Sequence, residues 1–73
     1  MRPLSTLKIG DLFLVDGRHL YKVAFDAERQ FNVRVGYLAT KYDDDWTFNL
    51  HIEFRNMKPD TMVQPVKMVL ENI

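Results

Sequence analysis

Residues 46–54, Trp-Thr-Phe-Asn-Leu-His-Ile-Glu-Phe, alternate large apolar and polar side chains without an error. Successive side chains project to opposite faces of a strand, whereas a helix would scatter this pattern around its surface. The stretch therefore predicts a strand with one apolar face. A face this apolar must be covered, so we expect it to form core in a sandwich or closed barrel. The residues of this face are Trp46, Phe48, Leu50, Ile52 and Phe54.

Three further stretches have the composition and alternation of strands. Residues 11–15 and 19–25 flank Asp16-Gly17, a strong signal for a tight hairpin because glycine supplies the positive φ that such a turn needs. Residues 31–38 alternate Phe-Asn-Val-Arg-Val-Gly-Tyr-Leu, and Gly36 within them indicates a bulge or a close approach of another backbone. The polar residues 26–30 between them predict a loop or one helical turn.

The last twelve residues, 62–73, predict a final strand. Pro65 cannot donate a ladder hydrogen bond, so this strand is expected at an edge or with a bulge. Residues 68–73 fit a strand or a short helix, and we favour the strand. Apolar side chains at both parities of residues 66–70 suggest a homodimer contact through this C-terminal strand, a groove for another partner, or a segment that its own barrel buries on both sides.

The size of the chain limits the architecture. With 73 residues and a globular balance of 47% hydrophobic and 27% charged residues, we expect one domain, residues 1–73, in which residues 1–6 can be flexible. We predict an all-β, small antiparallel five-stranded barrel of the SH3-like type, with an OB-fold as the alternative. The absence of cysteine and of any long apolar run favours a soluble, cytoplasmic protein with no membrane contact.

Two segments resemble small uncharacterised bacteriophage-encoded proteins with SH3-like β-barrels. These segments are Leu-Lys-Ile-Gly-Asp-Leu-Phe at 7–13, continuing to Val23, and Pro-Asp-Thr-Met-Val-Gln-Pro-Val at 59–66. The resemblance covers about half of the chain. It implies an SH3-like fold and a phage origin, hence the host cytoplasm, and it transfers no catalytic residue.

Catalytic motifs are not recognisable in the sequence. Asp43, Asp44 and Asp45 lack the alternating oxygen ligands and the glycine of a calcium loop, so we interpret them as a solvated loop. The single serine lies near the N-terminus, and three scattered glycines cannot form a phosphate-binding loop. His19 and His51, on different strands, are too few for a zinc site. We therefore predict a protein that is not an enzyme, with no metal and no cofactor.

Binding is the remaining class of function. Net charge is zero, which disfavours a dedicated duplex-DNA binder, but residues 1–42 hold seven Lys/Arg against four Asp/Glu. Trp46 and Tyr42 beside Arg34 and Lys41 can form a protein-binding hot spot or a platform for single-stranded bases, or Trp46 can simply close the core. We assign partner binding to these four residues and Met68.

Three hypotheses follow. The first is a non-enzymatic module that binds another protein, as a regulator or inhibitor of phage type. The second is a single-stranded nucleic-acid-binding protein. The third is a self-assembling structural component joined through the C-terminal strand.

Overall fold

The computed structural model describes residues 1–25 and 31–67, and at residue 25 the backbone alone. Within these ranges the chain forms six antiparallel strands and a single 3₁₀ turn at Leu4–Thr6. The all-β prediction is confirmed. The strands are β1 (Arg2–Pro3), β2 (Leu12–Val15), β3 (His19–Phe25), β4 (Val33–Tyr42), β5 (Asp45–Met57) and β6 (Met62–Val66).

The strands form one sheet in the order β1-β6-β2-β3-β4-β5, which is not closed. A five-stranded barrel is therefore not confirmed: the described residues contain one strand more, and the sheet has edges at β1 and β5. The additional strand, β1, is only two residues long and pairs with β6 at Val63 and Met62. A two-residue strand containing proline carries no alternation, so the sequence pattern could not have revealed it.

The main hydrophobic cluster lies on one face of the sheet, here called the inner face. Phe13, Tyr21, Val23, Val33, Val35 and Val63 project to it and are buried. Leu4 and Leu7 cover it from the N-terminal segment, with 0% and 2% of their surface exposed. The amides of Leu4 and Ser5 donate to the carbonyls of Thr61 and Pro59, at 2.8 and 2.9 Å, which fixes this segment over the sheet.

The predicted hairpin between β2 and β3 is present. Asp16 and Gly17 both have positive φ, 56° and 69°, and the amide of Arg18 donates to the carbonyl of Val15. Two consecutive left-handed residues match the right-handed twist of the flanking strands. The turn thus sets the β2–β3 register, in which Val15 lies opposite His19.

The start of β4 and the end of β6 differ in how far they match the prediction. Phe31 precedes β4 and is 73% exposed, so it is not part of the predicted buried face that Val33 and Val35 form. Pro65 lies in β6 beyond the two residues that pair with β1, where β6 is an edge as expected of proline. The predicted loop at 26–30 and residues 68–73, with the choice of strand or helix there, lie outside the described residues.

Candidate partner-binding surface

The register between β4 and β5 decides which way the alternating apolar residues of β5 project. Val35, in the core, lies opposite Arg55, and Gly36 lies opposite Phe54. Residues directly opposite each other in an antiparallel pair share a face of the sheet. Phe54 therefore projects away from the core, to the side here called the outer face.

The apolar residues of β5 are exposed on this outer face, which corrects the expectation that they form core. We call them the outer strip, and their exposed fractions are 37% for Trp46, 58% for Phe48, 96% for Leu50, 52% for Ile52 and 49% for Phe54. The predicted strand with one apolar face is present, but the described residues cover this face only in part: Ala39, opposite Phe48, and Leu20, opposite Ala39, are buried beside it. Trp46 projects to the outer face, so it does not close the core.

An irregularity at Leu38 explains the reversal. Near the β4–β5 turn, Ala39 lies opposite Phe48, and continuing that register would bring Val35 opposite Ile52, with both apolar sets facing the core. Instead the pairing shifts between Tyr37 and Ala39 in both neighbouring ladders. A bulge of this kind changes which side chains share a face.

Opposite this bulge, β5 forms an arch. Asn49 to Ile52 have no directly opposite residue in β4, because the pairing resumes at Glu53 with Tyr37. The side-chain amide of Asn49 donates to the Tyr37 carbonyl at 3.1 Å and bridges the gap. Leu50 lies within the arch and is almost fully exposed. The arch thus presents an apolar side chain to solvent.

A groove of about 290 Å³ lies beside the outer strip. Its floor is Gly36, where an added Cβ would come within 2.8 Å of Cγ2 of Ile52. The position is crowded, but the neighbour is the side chain of Ile52, not the bulge or the second backbone that was expected at this glycine. The side chains that line the groove include Ile9, Lys22, Ala24, Leu38, Ile52 and Phe54.

Three cations share the outer face with the strip. Lys22 pairs with Gly36, Arg34 with Asn56, and Lys41 with Trp46. The guanidinium of Arg34 lies 5.6 Å from the ring centroid of Phe54, within the range of a cation–π contact. At the paired outer-face positions of the described strands there is no carboxylate. The surface is therefore apolar with a basic margin.

The three aspartates form the turn between β4 and β5. Tyr42 pairs with Asp45, which leaves Asp43 and Asp44 as the two turn residues, and Asp43 has a φ of 53°. Aspartate tolerates this left-handed conformation better than most residues. The strand begins at Asp45, one residue before the predicted start. Residues 1–25 and 31–67 contain no group of three His, Cys, Asp or Glu that could hold a metal.

At its β5 end the inner face carries a polar cluster. Nδ1 of His19 lies 2.9 Å from the Tyr37 hydroxyl, which also hydrogen-bonds Thr40 Oγ1. The guanidinium of Arg55 lies 4.6 Å from the ring centroid of Tyr37 and donates to Glu53. The hydrogen bond that Arg55 donates to Glu53 is the main cause that raises the pKa of Arg55 above its ordinary value. These contacts connect side chains of β3 and β4 to Arg55 of β5.

Three of the five residues assigned to partner binding share a face, with Lys41 and Trp46 at one end of the outer strip and Arg34 at the other. Arg34, Lys41 and Trp46 share the outer face, Tyr42 is 63% exposed beside the acidic turn, and Met68 lies outside the described residues. Sequence reasoning missed the remaining members of the outer strip as surface residues. Their alternation was visible, but alternation identifies a face without saying whether it lies inside or outside.

No helix in the described part of the chain is long and apolar enough to span a bilayer. Comparisons of the chain with protein-family models, with curated proteins and with solved structures gave no match.

Proposed function

We propose that this chain is a small, non-enzymatic protein-interaction module that binds a protein partner through the outer strip. The observation that carries the proposal is the exposure of five large apolar side chains on one strand. Together they expose the equivalent of about three whole residues, or roughly 600 Å² at about 200 Å² for each large residue. That area is at the upper limit of the largest apolar patch on ordinary monomers.

The composition of this surface supports a protein partner. Trp46 and Arg34 belong to the residue types that are enriched at binding hot spots. The aliphatic side chains of Leu50 and Ile52 add apolar area that favours a dehydrated contact. The resemblance to phage SH3-like proteins extends the proposal to a regulatory or inhibitory role in a host cytoplasm.

A capture experiment tests this function. The immobilised chain is exposed to a bacterial lysate beside the variants Leu50→Asp and Thr47→Asp. Both sites are exposed on β5, but only Leu50 belongs to the outer strip, so Thr47→Asp adds the same charge at a matched position. We expect a specific protein to be retained by the wild type and by Thr47→Asp, and to be lost with Leu50→Asp. Equal retention by all three would contradict binding through this surface.

A second candidate, binding of single-stranded nucleic acid, is favoured by the cations of the outer face. Lys22, Arg34 and Lys41 lie on the same face as three aromatic rings, and such an arrangement suits a phosphate backbone with stacked bases. Titration with an oligonucleotide should then quench the fluorescence of Trp46, the only tryptophan. The affinity should fall with salt and with Lys22→Ala, but not with Lys58→Ala. No quenching at low salt would reject this candidate.

A further inference from the structure

We infer that the outer strip is covered by a second copy of this chain. The two sheets pack face to face, with their β5 strands antiparallel and a two-fold axis passing at Leu50. The inference rests on the proposed function, since it names the partner that occupies the same surface. It differs from a dimer through the C-terminal strand, because the contact lies at the opposite edge of the sheet.

The chemistry of β5 is symmetric about Leu50. An antiparallel partner centred there places Trp46 over Phe54 of the second copy and Phe48 over Ile52 of the second copy. Leu50 meets Leu50. An isologous contact needs this property, because each residue pair must occur twice across a two-fold axis. Each aromatic ring therefore meets an apolar partner, and no polar side chain of the strand is forced into the contact.

The exposed area is sufficient for a specific dimer. Two copies that each cover roughly 600 Å² would bury about 1,200 Å², the lower end of the range for stable interfaces. Ile9, 55% exposed, borders the strip and adds to this area. The groove beside Ile52 gives a place for the ring of Phe48 from the second copy.

Charge also favours the antiparallel arrangement. The acidic turn of Asp43, Asp44 and Asp45 lies at the end of β5 next to Trp46. Arg34 lies at the other end, 5.6 Å from the ring of Phe54. Since Trp46 covers Phe54 of the second copy, each acidic turn comes close to an Arg34, and this happens twice. Opposite charges at matched positions fix the register of such contacts.

Sedimentation of the purified chain over a wide concentration range tests the association. We expect a dimer for the wild type and for Thr47→Asp. Leu50→Asp places two carboxylates at the axis and should weaken the dimer by about 100-fold or more, as an unpaired buried charge does. Because Leu50 is 96% exposed, the variant should keep the wild-type circular dichroism spectrum. A strictly monomeric wild type, or a dimer unchanged by Leu50→Asp, would overturn the inference.

Cross-linking tests the register. The chain has no cysteine, so a single introduced cysteine can react only with another copy. A bismaleimide that spans the ~10 Å between packed sheets should link Leu50→Cys to itself. Phe48→Cys should link efficiently only when mixed with Ile52→Cys. A direct disulfide at Leu50→Cys without the linker would mean edge-to-edge pairing and would overturn the face-to-face arrangement.

The two proposals fail separately. A monomeric chain that still captures a lysate protein, and loses it with Leu50→Asp, would reject the second copy and keep the interaction module. A dimer that behaves as expected while no lysate protein is captured would reject a foreign partner and leave self-association as the use of this surface.

Discussion

Phe13 and Phe48 permit the most direct test of which apolar residues hold this fold together. Phe13 is 0% exposed and stacks on Tyr21 with a centroid distance of 5.4 Å. Phe48 is 58% exposed on the outer face. The same substitution at the two positions, Phe13→Ala and Phe48→Ala, should therefore have very different costs, although both residues sit in alternating strands.

The magnitudes follow from burial. Truncating a fully buried phenylalanine costs about 3–5 kcal/mol, which includes the cavity it leaves. Phe48 has less than half of its surface covered, and full burial of such a side chain is worth about 1.5–3 kcal/mol, so its loss should cost about 1 kcal/mol. For a domain of this size each kcal/mol lowers Tm by about 4–8 °C. We expect a Tm shift of roughly 12 °C or more for Phe13→Ala and less than about 8 °C for Phe48→Ala.

Urea and thermal unfolding followed by circular dichroism at low protein concentration provide the measurement. Dilution matters, because a second copy over the outer strip would add burial to Phe48 and raise its apparent cost. A domain of 73 residues is stabilised by only about 4–11 kcal/mol, so Phe13→Ala can leave the chain unfolded. Phe13→Leu and Phe48→Leu then repeat the comparison at a smaller cost. Equal destabilisation at the two positions in dilute solution would refute the assignment of inner and outer faces.

Substitutions at three further positions test individual features. Gly36→Val should push against Ile52 and lower the free energy of unfolding by about 1–3 kcal/mol in urea titrations. An effect near zero would mean that β4 and β5 separate more easily than the 2.8 Å between an added Cβ and Cγ2 of Ile52 implies. Asp43→Val should lower the free energy of unfolding by about 1–2 kcal/mol because residue 43 has a φ of 53°. Asp43→Gly should leave it nearly unchanged. Equal effects of the two substitutions would argue against a left-handed conformation at residue 43. Arg55→Ala removes a cation from the ring of Tyr37 and should lower the free energy of unfolding by at most about 1 kcal/mol. Arg55→Lys should have a value between those of the wild type and Arg55→Ala. A larger loss would show that the exposed cluster stabilises the fold more than its geometry indicates.

Much of the strand content could be predicted from local chemistry. Asp16-Gly17 identified the first hairpin because only certain residues accept two consecutive positive φ values. The alternation of residues 46–54 identified β5. Each of these signals lies within a few residues, so a single sequence contains it in full.

The arrangement of the faces could not be predicted in the same way. Whether the outer strip faces the core depends on the pairing shift at Leu38, which is a property of three adjacent strands. A shift by one residue moves a whole apolar set to the other face, and either outcome has the same alternation. The covering of the core by Leu4 and Leu7 was also hidden, because a short irregular segment has no periodicity to recognise.

The arch in β5 has a consequence for how copies of this chain can accumulate. An exposed, regular edge strand can recruit further strands without limit, which leads to fibres. Here one edge of the described sheet is interrupted at Asn49 to Ile52, and the other consists of the two residues of β1 and the end of β6 that contains Pro65. Neither offers a long, even row of free backbone groups. Lateral growth is thereby discouraged at both ends of the sheet, so the apolar outer strip can be displayed with a reduced risk of amyloid-like polymerisation.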